Sequence, residues 1–425
     1  MNTRRTAVVG RTLGSLRENR QFRLLWFSNL FFFGGVWTQT LVLGWLAWET
    51  THSDFLLAVF GAVRLAPLLL GPFAGAFADR HNRVRLLVIA CSWALAAVSV
   101  VATLASLGRA SYGVLLVGGL ALGLAQSPSQ PARASLVLDL VGRQNLSNAN
   151  ALNSMALNMT QVIGPAAGGL LINALGAPAA LWVSTIWYAV SLVLLLPLRG
   201  LGQVVHEHTG SSVRMVVSGL RAICRNRMAA TVLLVTLAAN TLVWPIAQSF
   251  IPVFAQESLG LDAAGLGWLL TCSGLGGLIG SLVIAWLGDF RFKGGLFVFG
   301  TAAWGTTWAL FAVSRSTAAS FVLMTAIGVL SAAFGVLQTT LLLMTTDVRL
   351  HGRALGVQEL AIGVMPVTSL ILGAFAQHFG ISATAFVSAT LLVLLMFALA
   401  AWTPQLLRYG GQDHHLPSRD SASEV

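Results

Sequence analysis

Gly75-Ala-Phe-Ala-Asp79-Arg80-His-Asn-Arg83-Val-Arg85 is a short charged turn set between two long apolar runs, residues 54–78 and 86–107. Each run is long enough to cross a hydrocarbon layer of about 30 Å. A tight, arginine-rich turn between two such runs puts both in a membrane and the turn in water at one face. The rest of the chain extends the pattern: 56% of its 425 residues are hydrophobic and only 9% charged, against about 25% charged in soluble domains. The sequence therefore reads as an all-α membrane protein. Twelve spans are predicted, at 24–49, 54–78, 85–107, 112–137, 148–175, 178–198, 229–256, 263–287, 295–314, 317–345, 355–380 and 382–402.

The net charge of +11 would suggest nucleic acid as a partner of a soluble chain. Its distribution excludes that reading. Counting the N-terminus as cytoplasmic, 22 of the 25 Lys and Arg residues, Arg80, Arg83, Arg85 and Arg133 among them, fall on the inner side. Only Arg109 and Arg315 fall outside, and Arg64 lies within a span, so the positive-inside rule places both termini in the cytoplasm. Six arginines precede the first run, which is too long for a signal-peptide core and reads as a retained span. Cys91, Cys224 and Cys272 have no C-x-x-C spacing, the two within spans, Cys91 and Cys272, read as small apolar filler, and His206 and His208 read as solvated; no metal site, disulfide or cofactor is expected.

Polar residues within spans point to the bundle interior, because lipid offers them no hydrogen bonds. The first span carries Asn29, Trp37 and Gln39, the fourth Gln126, the fifth Asn158 and the seventh Trp244 and Gln248; the tenth carries Gln338. Arg64, deep in the second span, needs a partner or an aqueous cavity. Glu49 and Asp54 lie on the order of 10–15 Å away along the helix. Two readings stand: a guanidinium capped by backbone carbonyls near Pro67, or one facing a central cavity, where it favours anionic or strongly hydrogen-bonding solutes. Gln126-Ser-Pro-Ser-Gln-Pro131 predicts a kinked helix beside that cavity, leading to Asp139, which is expected to pair with Arg83 or Arg85. Gly164-Pro165-Ala-Ala-Gly168-Gly169 allows close helix packing. Glu359, about one turn into the eleventh span, is either a proton-coupling site or a member of the charged cytoplasmic cluster.

A polar connection over 199–228, with an amphipathic piece from Ser212 to Arg225, separates two stretches whose features recur. Trp37 is matched by Trp244, Gly75-x-x-x-Asp79 by Ala285-x-x-x-Asp289, and Pro165 by Pro366. The expected organisation is a basic lead-in (1–23), a six-span half (24–198), the linker, a second half (229–402) and a tail (403–425).

The turn Gly-x-x-x-Asp-Arg-x-x-Arg-x-Arg between the second and third spans resembles the loop signature of the major facilitator superfamily, with Asn82 standing where a second glycine is usual. Gly164-Pro165-x-x-Gly168-Gly169 resembles the core of its antiporter signature. Together with Arg64-x-x-Pro67, Pro131-Ala-Arg133 and Asn148-Ala-Asn150-Ala-Leu-Asn153, these resemble the twelve-span efflux branch that includes enterobactin-type siderophore exporters and macrolide efflux pumps. The arginine that many members carry in the middle of the fourth span is not matched. The resemblance implies two pseudo-symmetric six-helix halves rocking about a central cavity. Asp79 would then face the start of span eleven and Asp289 that of span five, so that Gly75, Asp79, Arg80, Arg83, Arg85, Asp139 and Asp289 form a cytoplasmic gate. It implies a monomeric exporter of a small amphipathic molecule in the bacterial cytoplasmic membrane, working as a proton antiporter, with a small-molecule substrate, protons and lipids as its partners; an importer in the same fold is the alternative. The expected cavity lining is Asn29, Trp37, Gln39, Arg64, Gln126, Asn158, Trp244, Gln248 and Gln338. An enzyme is not expected, since no His-rich cluster or paired carboxylates lie at membrane depth.

Overall fold

Helices begin where the sequence offers a short polar side chain. Asn19, Ser53, Asn82, Ser111, Asn226 and Ser316 each accept a hydrogen bond from a backbone N–H of the turn they precede, the usual answer to the unpaired donors of a first turn. The computed structural model describes residues 19–70, 82–199, 220–221, 223, 225–287, 290–346 and 350–410, and among them no strand occurs.

The first half contains α1 (Arg20–Thr51), α2 (Asp54–Leu65, continued by a 3₁₀ turn Ala66–Leu70), α3 (Arg83–Ser106), α4 (Tyr112–Leu175) and α5 (Ala177–Leu195). The second contains α6 (Arg227–Leu242), α7 (Trp244–Ser249), α8 (Ala263–Leu287), α9 (Lys293–Val313), α10 (Thr317–Thr345), α11 (His351–Gly363), α12 (Met365–Phe379) and α13 (Ile381–Trp402). The breaks between α6 and α7 and between α11 and α12 fall just before Pro245 and Pro366, where a missing N–H interrupts the ladder. Ten stretches among the described residues are long and apolar enough to cross a membrane, and large side chains such as Ile89, Val100, Ile186 and Leu394 stand exposed, as a lipid-facing surface permits.

The helix α4 corrects the expected division. The sequence separates spans 112–137 and 148–175 by a loop, yet the backbone is helical throughout. Its two legs nevertheless run in opposite senses. Arg133 and Asn153 both hydrogen-bond Asn29, although twenty residues of straight helix would hold them roughly 30 Å apart. The chain therefore doubles back between them. The second leg runs alongside α1, with Trp26 donating to the Leu152 carbonyl and Thr38 to that of Gly164.

The turns at His52–Ser53, Gly108–Ser111, Gly176, Gly260 and Gly380 gather at one end of the molecule, here the hairpin end. The other, basic end carries Arg20, Arg23, Arg83, Arg85, Arg227, Arg291 and Arg353. Each half has its own core. Phe32 meets Tyr188 edge-on at 5.3 Å in the first, and Phe297, Phe334 and Trp304 stack in the second. The halves join along α4 against α8 and α2 against α12. Glycine is required at the first of these: a Cβ on Gly169 would stand 2.5 Å from the Ala263 carbonyl oxygen and 2.8 Å from the Gly267 Cα. Gly164 and Gly168 of the same motif lie instead against Trp37 and the α1 backbone.

Candidate functional site

Between the halves lies a cavity of about 700 Å³. Its wall takes Phe33, Trp37 and Thr40 from α1, Arg64 and Leu68 from the second helix, Gln126, Ser127, Gln130 and Ala134 from α4, Gln248 from α7, and Leu355 and Glu359 from α11. The α4 members recur at helical spacing, so one stripe of that helix faces the cavity. Arg64 is 8% exposed. Its Nη1 donates to Thr40 Oγ1 at 3.2 Å and its Nη2 to Gln248 Oε1 at 3.5 Å. The guanidinium is thus held by side chains from both halves, not by carbonyls near Pro67. Glu359 faces the same space from the opposite half, and Gln126 keeps Nε2 without a partner. The cavity offers one cation, one carboxylate, several amides and an apolar wall.

Of the nine residues expected to line the cavity, Trp37, Arg64, Gln126 and Gln248 do so. The other five are placed elsewhere. Asn29 is sunk within the first half, donating to Asn153 Oδ1 at 2.6 Å and accepting from Arg133. Gln39, two residues beyond Trp37 and so roughly 200° round the helix, is buried on the far face. Asn158 shares the face of Val162 and Pro165, which packs on α8. Trp244 lies edge-on to Trp304 at 5.4 Å, and Gln338, one turn beyond Phe334, is half-buried with its Oε1 lacking a hydrogen-bond partner. At the basic end Arg83 pairs with Asp139, and Arg85 is exposed. Gly75, Asp79, Arg80 and Asp289 lie outside the described residues, as does most of the amphipathic piece 212–225.

Arg133 needs correction. It counted with the cytoplasmic arginines and the fourth span was read as lacking one, but it is 2% exposed inside the first half. The available signal was a set of polar residues on neighbouring spans, Ser28, Asn29 and Ser191, with no apolar reason to be there.

Among the described residues, hydrogen bonds between the halves lie at the hairpin end and the mid-depth. Trp48 Nε1 donates to Gln256 Oε1 at 2.6 Å, Ser53 Oγ to Gln377 Oε1 at 3.0 Å, and Thr271 Oγ1 to the Val162 carbonyl at 3.1 Å, besides the Arg64–Gln248 bond. Among the described residues no such bond joins the halves at the basic end, where Asn19–Leu140 and Asn226–Thr345 stay within a half.

Residues 12–416 match the family model described as transmembrane secretion effector. The chain is similar to the multidrug efflux pump Tap of Mycolicibacterium fortuitum, 25% identical over 373 residues, which is 85% of this chain and 90% of that one. It is similar also to the staphyloferrin A transporter of Staphylococcus aureus, 23% identical over 366 residues, 84% and 90% of the two chains. Among solved structures it resembles the peptide transporter POT in complex with sulfate, with a TM-score of 0.77 at 12% identity over 92% of this chain and 96% of that one. A bacterial homologue of the human lysosomal transporter Spinster, in an inward-facing and unoccupied conformation, gives a TM-score of 0.69 at 14% identity, covering 91% and 97%.

Proposed function

Given that this chain belongs to the family of transmembrane secretion effectors, we propose that it is a secondary active exporter of small amphipathic molecules. Twelve spans in two six-helix halves, with both termini in the cytoplasm of a bacterial cell, accommodate the ten apolar stretches, the second leg of α4 among them, together with the partly described second helix and the first leg of α4. With the basic end inside, the cavity lies on the cytoplasmic side of a closed outer end.

The observation that carries this reading is that, among the described residues, inter-half hydrogen bonds occur at the hairpin end and mid-depth, with a 700 Å³ cavity beyond them. A solute entering from the cytoplasm would set its apolar part against Phe33, Leu65 and Leu68 and an acceptor group at Arg64. Rocking the halves would then part the hairpin ends and close the basic ones, delivering it outside. Glu359, the carboxylate of the cavity, is the proposed proton site that drives the cycle as an antiport, and Asp79 and Asp289 belong to the gate at the basic end. The name of one relative, a multidrug efflux pump, supports the direction, and with the staphyloferrin A transporter it supports a small-molecule substrate.

The test is uptake of fluorescent amphiphiles and carboxylate- or catechol-bearing siderophores into everted vesicles containing the protein. Accumulation that a protonophore abolishes is the expected result. Vesicles indistinguishable from empty ones across the panel would refute export of this class.

A further inference from the structure

Arg133 carries a second, unused cationic site behind the cavity wall. Taking 100° per residue, it lies about 20° outside the arc of α4 that faces the cavity at Gln126, Gln130 and Ala134, and its side chain turns into the first half. Its Nη1 donates to Asn29 Oδ1 and, at 3.4 Å, to Ser28 Oγ. The guanidinium carbon sits 4.3 Å from the centroid of Phe32 and 5.8 Å from that of Phe33. Nε and Nη2, both buried, have no partner.

No carboxylate compensates the charge among the described residues. Asp139, six residues along α4, is engaged by Arg83. Cys91 stands close, but its Sγ donates to the Tyr188 carbonyl at 3.4 Å, so it enters as a thiol. Tyr188 adds a buried hydroxyl that is likewise unpartnered. A guanidinium held away from water with two free donors is a group that negative charge would stabilise: an uncompensated buried cation is strongly unfavourable, and its free N–H groups can donate to an anion. The ring of Phe33 is part of the cavity wall and lies next to this guanidinium.

We propose that Arg133 is the seat of an anion subsite, screened from the cavity by Phe33 and taken by a small monovalent anionic group when that ring swings aside. The group is a free halide or a carboxylate; the carboxylate case rests on the export reading, since the transported solute would bring it, whereas the halide case does not.

The test is the melting temperature of the purified full-length protein, titrated with sodium bromide or sodium propionate against sodium gluconate at equal ionic strength. At ten times the half-saturating concentration a rise of about 1–2 °C is expected. It should persist in Arg64→Met and vanish in Arg133→Met. Bromide alone acting identifies a free halide as the occupant; propionate acting, with or without bromide, identifies the carboxylate. No saturable rise with either anion, or one that survives in Arg133→Met, overturns the subsite. If Arg133→Met does not fold, Phe33→Ala decides: removing the screen should lower the half-saturating concentration several-fold, and an unchanged value would overturn the proposal. Because nothing is transported in this measurement, failure of the export reading leaves the halide result standing.

Discussion

Replacing Gly267 by alanine perturbs the contact on which closure of the hairpin end depends. A Cβ there would stand 2.6 Å from the Pro165 carbonyl oxygen and 3.0 Å from the Gly169 Cα, where ordinary contact begins at 3.4 Å. The shortfall to the oxygen is 3.4 − 2.6 = 0.8 Å. Both neighbours are backbone, so no side-chain rotation relieves it; the second leg of α4 and α8 must move apart. Overpacking of this kind costs about 1–3 kcal/mol. The cost falls on conformations closed at the hairpin end and not on one in which those helix ends separate, so it converts to a population shift of about 5–150-fold. The readout is labelling of Ala58→Cys, a position buried against Gly373 of the other half near the hairpin end, by a membrane-impermeant maleimide applied from the hairpin side, in a background without Cys91, Cys224 and Cys272. Gly267→Ala should raise the labelling rate at least about fivefold and slow transport, while Gly335→Ala, whose Cβ meets nothing within 4 Å, should do neither. A folded Gly267→Ala protein that labels and transports at the parent rate would refute the reasoning.

Arg64→Ala removes hydrogen bonds to a charged group, each typically about 1.5–3 kcal/mol, and should raise the half-saturating concentration of carboxylate-bearing solutes by about 10–150-fold while sparing neutral ones; equal loss for all solutes would mean that Arg64 serves folding. Glu359→Gln should reduce gradient-driven accumulation in everted vesicles to the protonophore-treated level while downhill movement continues, and undiminished accumulation would remove Glu359 from the coupling step. Trp48→Phe deletes the bond to Gln256, net about 0.5–1.5 kcal/mol, and should raise labelling at position 58 by about 2–10-fold. Gln248→Leu should raise basal labelling there and abolish any further increase on adding solute; a solute response kept intact would show that Arg64 is not the link.

The helices were legible because a bilayer forces long apolar runs, and the turn and glycine motifs gave a resemblance that the family match over residues 12–416 made membership. The connection between the legs of α4 was not. Asp139, Arg143 and Gln144 read as loop by polarity, but a helix that leaves the membrane needs no apolar residues to continue. The cavity was half legible for a related reason. A polar side chain within a span must face inward, yet inward means either the space between the halves or the core of one half. Trp37 and Gln39 are two residues apart on one helix and go to different places. Asn29 has the same chemistry as a cavity amide, but Asn153 and Arg133 on other legs claim it. Which of these occurs depends on partners distant in sequence, and local pattern does not encode them.

The two buried arginines show what that distinction does. The partners of Arg133, Ser28 and Asn29, belong to its own half, so rocking the halves leaves these bonds intact. Arg64 is held by Thr40 from its own half and by Gln248 from the other, so its bonding changes whenever the halves separate at this level. The bond to Gln248, at 3.5 Å, is the longer of the two and the easier to exchange. A solute acceptor that draws the guanidinium away removes one of the bonds that hold the halves together between the cavity and the hairpin end. A ligand shifts a conformational equilibrium only by its differential affinity for the two states. On the proposed cycle, Arg64 would supply such a difference through a single exchangeable hydrogen bond: the state closed at the hairpin end would lose a bond when solute binds, and the open state would have none to lose. Binding from the cytoplasm would then favour opening on the other side, the direction the proposed export requires.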